Sequence, residues 1–173
     1  MRQKRGHSPR RQVREIIALW EALHAGFEQA VRGLPDAALD FRPQPRIRTL
    51  AQLVRHTLWC ESYYFSGLPG GPKRRPTLPK KFQSKRALLK AMQLVHKRSL
   101  AYMKKLTDDD LDRQLRFSWL PRMSVRQALL YVFAHEVHHR AQVYTYIRLW
   151  EPPGRRHSKP WWVVRKSSPL VEK

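Results

Sequence analysis

Three histidines lie close together in the longest segment of the chain that is free of helix-breaking residues. His135, His138 and His139 occur in the run FAHEVHHRAQ, and neither Gly nor Pro interrupts residues 124–150, so one long helix is expected. At about 100° per residue, His135 and His139 lie one turn apart on the same face, with His138 to the side. Two imidazoles at this spacing can bind one metal ion, as in helical zinc sites. Core or surface histidines would give the same pattern, so the interpretation depends on a third ligand elsewhere.

His56 is the strongest candidate for that third ligand. It lies in a second predicted helix, which begins at about Leu50 after the N-capping residue Thr49 and ends at about Ser66. Its position borders the apolar stripe of the helix, so its ring can point to the interior. A single buried histidine is more often an ordinary core residue. Three neutral imidazoles around one ion, however, would leave open coordination positions and form a reactive metal centre.

The same residues also match His-Glu-x-x-His, the helical motif of zinc peptidases, in which Glu136 would be the general base. No Gly-x-x-His sequence follows, no downstream helix offers a carboxylate ligand, and the strands that border such a cleft are missing. The alternative role for Glu136 is an i,i+4 ion pair with Arg140. His138 is expected beside the site, where it orients a ligand, transfers protons or lies at the surface. Cys60, one turn beyond His56, either approaches the metal or fills the core.

Four segments carry apolar residues at three- and four-residue spacing, which predicts amphipathic helices. They cover Gln12–Gly33, Leu50–Ser66, Lys85–Leu106 and Val125–Trp150. The connection from Gly67 to Ser84 is rich in proline and longer than an antiparallel helical hairpin requires. It suits a crossover, so the predicted fold is all-α, a four-helix bundle with a long crossover between parallel helices two and three. His96 on helix three has no partner at ligand spacing and is expected at the surface.

The length of 173 residues and the hydrophobic fraction of 42% fit one globular domain. We expect this domain to cover residues 12–150, between a disordered basic segment at residues 1–11 and a basic tail at residues 151–173. No apolar run of membrane-spanning length and no secretory signal are recognised. The single cysteine excludes an intramolecular disulfide framework and a cysteine-rich zinc site, and it suits the cytoplasm. Any metal site must therefore use histidines and carboxylates.

The balance of charged residues is strongly basic. Lys and Arg number 35 against 13 Asp and Glu, which gives a net charge of +22. A field of this size attracts nucleic acid whether or not such binding is the function. No nucleic-acid motif with defined spacing occurs. The alternative to an enzyme is therefore a basic, nucleic-acid-associated helical bundle with a structural or vestigial metal site.

Two stretches together carry a family resemblance. The segment LPDAALDFRPQPRIRTLAQLVRHTLW (residues 34–59) combined with HEVHHRAQ (residues 135–142) resembles the DinB/YfiT-like superfamily of metal-dependent enzymes. The resemblance covers roughly residues 13–149. It implies a four-helix bundle in which a helix-two histidine and a His-x-x-x-His-Arg-Gly-Gln-like segment of the last helix bind the metal. Carried over by position, the ligands are His56, His135 and His139, while Ala141 replaces the common Gly.

The resemblance also implies partners and a type of chemistry. It implies a bound divalent ion, zinc or nickel, and a homodimer. Relatives include thiol-dependent transferases and an isomerase that uses a low-molecular-weight thiol. The expected function is therefore that of a metal-dependent enzyme whose three-histidine site activates a water or a thiol, for hydrolysis or thiol transfer on a small substrate. No catalytic side chain is assigned by either the motif or the resemblance.

Overall fold

A computed structural model describes residues 10–117 and 120–150 of the chain. The tail at residues 151–173 and most of the basic segment at residues 1–11 lie outside the described residues. Arg10 and Arg11 are described, and Arg11 already belongs to the first helix. The expectations of a disordered N-terminus and a separate tail therefore stay predictions.

The architecture is a bundle of four helices with a small two-stranded sheet. The helices are α1 Arg11–Arg32, α2 Leu50–Gly67, α3 Lys85–Met103 and α4 Val125–Trp150. The predicted fold is confirmed, and the bounds of α4 agree with the sequence expectation. α3 ends three residues before the predicted Leu106, because the chain tightens into a turn in which the Leu106 amide donates to the Met103 carbonyl.

Two hydrophobic clusters fill the two ends of the bundle and define the direction of each helix. The first cluster takes residues from the beginnings of α1 and α4 and from the ends of α2 and α3. The second cluster takes residues from the ends of α1 and α4 and from the beginnings of α2 and α3. α1 and α4 therefore run in one direction, and α2 and α3 run in the other. Residues 68–84 return the chain along the bundle, as the predicted crossover requires.

The contacts between helices explain how the site is brought together. α2 and α4 pack against each other, and α1 packs against both α3 and α4. The fourth face is formed by α2 and α3. Because α2 and α4 are antiparallel neighbours, the middle of α2 faces the middle of α4.

Local capping fixes where the two site-bearing helices begin. The Thr49 hydroxyl accepts from the Gln52 amide, while the Gln52 side chain accepts from the Thr49 amide, which is a complete capping box. Ser124 and Gln127 make the same reciprocal pair at the beginning of α4. These caps set the register of α2 and α4, and so the depth at which their histidines lie.

The other two helices are capped by aspartates that are remote in sequence. Asp108 accepts hydrogen bonds from the amides of Gln12 and Val13 at 3.2 and 3.0 Å, at the beginning of α1. Partial desolvation works against ionisation, but these backbone donors outweigh it and lower the pKa of Asp108. Asp36 likewise accepts from the Lys85 amide at the beginning of α3. Both contacts join a helix end to a distant loop.

The connection between α3 and α4 contains the sheet. It begins with a 3₁₀ turn at Asp109–Asp112 and continues into strands β1 Gln114–Leu115 and β2 Met123–Ser124. The strands are antiparallel, with Gln114 opposite Ser124. Among the described residues, no helix has the length and apolar character needed to cross a membrane.

Candidate metal centre

Three histidines from two helices converge where the middle of α2 faces α4. The ring nitrogens offered by His56, His135 and His139 lie within 4.8 Å of one another. The Nε2 atoms of His135 and His139 are 3.1 Å apart. The His56 ring centroid lies 5.5 Å from that of His135 and 4.8 Å from that of His139. The structure thus brings together all three residues that the sequence singled out.

Burial keeps these imidazoles neutral. It lowers the pKa of His56 to about 4, with smaller contributions from Arg48 and His139. Burial also lowers the pKa of His135 to about 4, helped by the neighbouring histidines, and it lowers the pKa of His139. A neutral imidazole has a free lone pair, so the three rings are nitrogen donors at neutral pH without first losing a proton.

Gln142 fixes the tautomer of His139. Its Oε1 lies 2.7 Å from the Nδ1 of His139, and because an amide oxygen can only accept, Nδ1 carries the proton. The lone pair is then on Nε2, the atom that faces His135. Gln142 in turn donates from Nε2 to the Nε2 of His138 at 3.1 Å. His138 is exposed and outside the trio. It contacts the site through Gln142 and through its ring, whose centroid lies 5.0 Å from that of His139.

Cys60 lies against the His56 ring and belongs to the first hydrophobic cluster. Its Sγ is 3.7 Å from both ring nitrogens of His56. Burial raises the pKa of the Cys60 thiol to about 11, so the thiol is neutral at physiological pH. A thiol in this state fills space and is a poor nucleophile.

A cation and an aromatic pair lie on the solvent side of α2. Arg48 is exposed, and its charge contributes to lowering the pKa of both His56 and His139. The rings of Trp59 and Tyr63 stack with centroids 5.3 Å apart. The Arg75 guanidinium lies 5.6 Å from the Trp59 ring and 5.5 Å from the Tyr63 ring. A surface groove of about 530 Å³ runs past Trp59 and is lined by Arg55, Trp59, Ser62 and residues 73–78.

A second polar group lies inside the bundle, and the sequence did not predict it. His24 of α1, Glu61 of α2 and Glu136 of α4 are all buried, with donor atoms within 4.8 Å of one another. Burial raises the pKa of Glu61 to about 8. For His24, burial lowers the pKa, but the hydrogen bond and charge of Glu136 outweigh it and raise the pKa.

Two expectations from the sequence are corrected here. Glu136 was expected to form an ion pair with Arg140, but it is buried and its Oε2 is 3.0 Å from the Nδ1 of His24. Arg140 is itself buried and donates to the Leu23 carbonyl at 3.0 Å, so it joins α4 to α1. His96 was expected at the surface, but it is half-buried and its ring stacks on His24 with centroids 3.7 Å apart. The only sequence signal for the buried group of His24, Glu61 and Glu136 is that His24 and Glu136 each interrupt the apolar stripe of their helix.

Comparison with known proteins supports the resemblance found in the sequence. The model of the DinB superfamily matches residues 19–143. None of the curated proteins compared with the chain matches it significantly. A DinB-like protein of Bacillus cereus has a TM-score of 0.65 at 21% identity, over 78% of this chain and 89% of that chain. A DinB-like protein of Bacillus subtilis also has a TM-score of 0.65, at 17% identity, over 78% of this chain and 91% of that one.

A further solved structure adds a description of activity. YfiT of Bacillus subtilis is 25% identical, with a TM-score of 0.61 over 86% of this chain and 93% of that chain. It is described as a probable metal-dependent hydrolase with an unusual four-helix bundle topology. In the present chain α1 runs parallel to α4 and α2 runs parallel to α3, the arrangement of a bundle with one long crossover connection. With a family match over well more than half of its length and this shared fold, the chain belongs to the DinB superfamily.

Proposed function

We propose that this protein is a divalent-metal-dependent enzyme that acts on a small molecule, with His56, His135 and His139 as the metal ligands. The observation that carries the proposal is the convergence of three neutral imidazoles, whose nitrogens lie within 4.8 Å of one another. The description of YfiT as a probable metal-dependent hydrolase supports the same interpretation.

The donor set fits a metal ion. Nitrogens at about 2.0–2.1 Å from a tetrahedral zinc ion are about 3.3–3.4 Å apart, and the Nε2 atoms of His135 and His139 are 3.1 Å apart. Three imidazoles suit zinc or nickel, and they leave a position for an exogenous group. When bound, the ion supplies a Lewis acid that lowers the pKa of a water or thiol in that position.

The protein's own side chains orient a metal ligand and supply a positive charge for the substrate. The hydrogen bond from His139 to Gln142 keeps the lone pair on the Nε2 of His139, facing His135, and His138 accepts a hydrogen bond from the Gln142 amide. The exposed Arg48, whose charge reaches His56 and His139, is placed to bind a negatively charged group of the substrate. Because the Cys60 thiol is neutral, the nucleophile in this proposal comes from outside the chain, as a water for hydrolysis or a small thiol for transfer.

We propose a homodimer formed through α4. Apolar residues at three- and four-residue spacing lie exposed along one stripe of this helix, which we name the α4 stripe: Leu130, Ala134, Val137 and Ala141. Leu130 is 44% exposed and Val137 is 36% exposed. A stripe of this kind on an otherwise basic surface is suited to packing against the same stripe of a second copy.

A metal-content experiment tests the ligand assignment. Wild-type protein and the double variant His56→Ala/His139→Ala are loaded with Zn²⁺, desalted and analysed for bound metal by mass spectrometry. The double variant is expected to hold one equivalent less than the wild type. His138→Ala is the matched control, because it removes the adjacent imidazole and is expected to keep the wild-type metal content. Equal metal content in wild type and double variant would exclude the proposed site.

Nucleic-acid binding is the second candidate, and the basic groove favours it. Lys73, Arg74 and Arg75 line this groove beside Trp59, and basic grooves with accessible aromatic rings bind single strands. Binding of a fluorescent oligonucleotide is expected to weaken steeply with salt. If Lys73→Glu/Arg74→Glu leaves both the affinity and the salt dependence unchanged, the groove is not the binding surface.

A further inference from the structure

A polar layer crosses the middle of the bundle between the two hydrophobic clusters. Each helix contributes one buried residue to this layer, which consists of His24 of α1, Glu61 of α2, Ser99 of α3 and Glu136 of α4. His24 is only 3% exposed, and Glu61 and Glu136 are each 2% exposed. The three-histidine site uses none of these side chains, although His135 and Glu136 are neighbours in sequence.

Several polar atoms of this layer have no hydrogen-bond partner among the described residues. They are the Nε2 atom of His24, the Oε2 atom of Glu61 and the Oε1 atom of Glu136. The remaining carboxylate oxygens are engaged, since Ser99 donates to the Oε1 of Glu61 at 2.5 Å and the Oε2 of Glu136 is 3.0 Å from the Nδ1 of His24. Buried polar groups are rarely left unpaired in native proteins, so unpaired atoms from two facing carboxylates indicate that something else belongs between them.

We propose that His24, Glu61 and Glu136 form a second divalent-cation site, separate from the three-histidine site. Their donor atoms lie within 4.8 Å of one another, near enough for small side-chain movements to place all three around one ion. When an ion is bound, two ionised carboxylates and one neutral imidazole carry a charge of two minus, which a divalent cation balances; without it, protons on Glu61 and His24, whose pKa values are raised, take that part. Charge balance matters here because the layer lies between apolar clusters, where an uncompensated charge is strongly disfavoured.

The donor set determines the class of ion and its role. Two carboxylate oxygens and one imidazole nitrogen suit Mn²⁺, Fe²⁺ or Zn²⁺ and disfavour ions that require thiolate ligands. The ligands come from three helices, so the ion would join α1, α2 and α4 at the centre of the bundle. Because all three ligands are almost inaccessible to solvent, the role assigned to this site is stabilisation of the bundle and not turnover of a substrate.

The test uses the 173-residue chain with the three-histidine site removed. The background variant His135→Ala/His139→Ala is unfolded with chelator and then refolded with Mn²⁺ or Zn²⁺ as the sole metal. We expect this background to retain one equivalent of metal, and adding Glu61→Gln to abolish the binding while preserving the size of the side chain. Glu21→Gln is the matched control, because Glu21 lies on α1 one turn before His24 but is exposed, and it is expected to retain the metal.

A second readout separates loss of a ligand from loss of the fold. Circular dichroism of the Glu61→Gln protein reports whether the helices persist, and the melting temperature of the background is expected to rise with Mn²⁺ concentration only when Glu61 is intact. If the folded background binds neither metal and its melting temperature does not respond to either, the layer holds water and the proposal is wrong. The same conclusion follows if Glu61→Gln binds metal as tightly as the background. Neither result depends on whether the three-histidine site binds metal.

Discussion

Replacing Gln142 with methionine is expected to weaken Zn²⁺ binding at the three-histidine site without removing a ligand. The methionine side chain has nearly the same length, but its thioether is a much weaker acceptor than the amide oxygen to which the Nδ1 of His139 donates over 2.7 Å. The ring is then free to move its proton to Nε2 or to rotate. Both changes take the lone pair away from His135 and make the bound state less accessible.

The expected size of the effect follows from the kind of hydrogen bond that the substitution removes. Hydrogen bonds to the second ring nitrogen of a metal-bound histidine are typically worth about 10–100-fold in metal affinity, which is about 1.4–2.7 kcal/mol. The stability of the metal-free fold should change less, by about 1 kcal/mol, which is the central contribution of a typical hydrogen bond to folding. The affinity should therefore fall more than the stability does.

Competition with a chromophoric chelator measures the Zn²⁺ affinity, and urea denaturation of chelator-treated protein measures the stability. Gln142→Glu is the matched control, because it keeps the acceptor and adds negative charge, and it should bind Zn²⁺ at least as tightly as the wild type. His138→Ala should have only a small effect, since His138 is exposed and is not one of the three proposed ligands. If the methionine variant binds Zn²⁺ as tightly as the wild type, Gln142 does not fix the ligand.

Three further predictions concern assembly, acid stability and the crossover. Val137→Glu places a charge in the α4 stripe and is expected to convert a dimer into a monomer, as measured by light scattering. The control Leu94→Glu, at a residue of α3 that is 49% exposed, should leave the assembly unchanged. A dimer in both variants would place the interface elsewhere. In metal-free protein, the melting temperature of His56→Asn is expected to fall less than that of the wild type between about pH 7 and about pH 5. A histidine whose pKa is depressed in the folded state binds more protons in the unfolded chain, so acid favours unfolding of the wild type. Burial lowers this pKa from 6.5 to about 4, so parallel melting curves for the two proteins would contradict a neutral buried ring. A Cβ at residue 71 would lie 2.0 Å from the Phe65 carbonyl oxygen, so Gly71→Ala is expected to lower the free energy of unfolding by about 1–3 kcal/mol. Gly33→Ala, whose nearest contact would be 3.6 Å, should be close to neutral, and equal urea midpoints for the two variants would show that the crossover yields easily.

Helix positions follow from the sequence because the apolar spacing is regular and the breaks are chemically clear. Thr49 and Ser124 are N-caps whose partners occur three residues later, so the beginnings of α2 and α4 could be identified without a structure. The end of α3 was less predictable, because the turn after Met103 depends on how the following loop packs. The remote cap from Asp108 to α1 has no local signal at all.

The two candidate sites also differ in how far the sequence predicts them. His135 and His139 share a helical spacing, and His56 borders the apolar stripe of its helix and matches the family resemblance. Their convergence could therefore be anticipated, while their binding of a metal stays a prediction. The polar layer could not be anticipated, because its ligands come from three separate helices without any repeated spacing. Glu136 was assigned to an ion pair with Arg140 since spacing along one helix gives no information about which neighbour a side chain faces.

The directions of the helices place Arg10 and Trp150, the described residues next to the two basic ends of the sequence, at opposite ends of the bundle. Arg10 precedes α1 and contacts the Lys104 carbonyl beside the first cluster, whereas Trp150 ends α4 and packs against the second cluster. Residues 1–9 and 151–173 are thus attached at opposite ends of a bundle about as long as the 26-residue α4, or about 39 Å. A straight polyanion that engages both points of attachment must span this length, which corresponds to about 12 base pairs of duplex. Length dependence of oligonucleotide binding would therefore distinguish cooperation of the two ends from binding in the single groove beside Trp59.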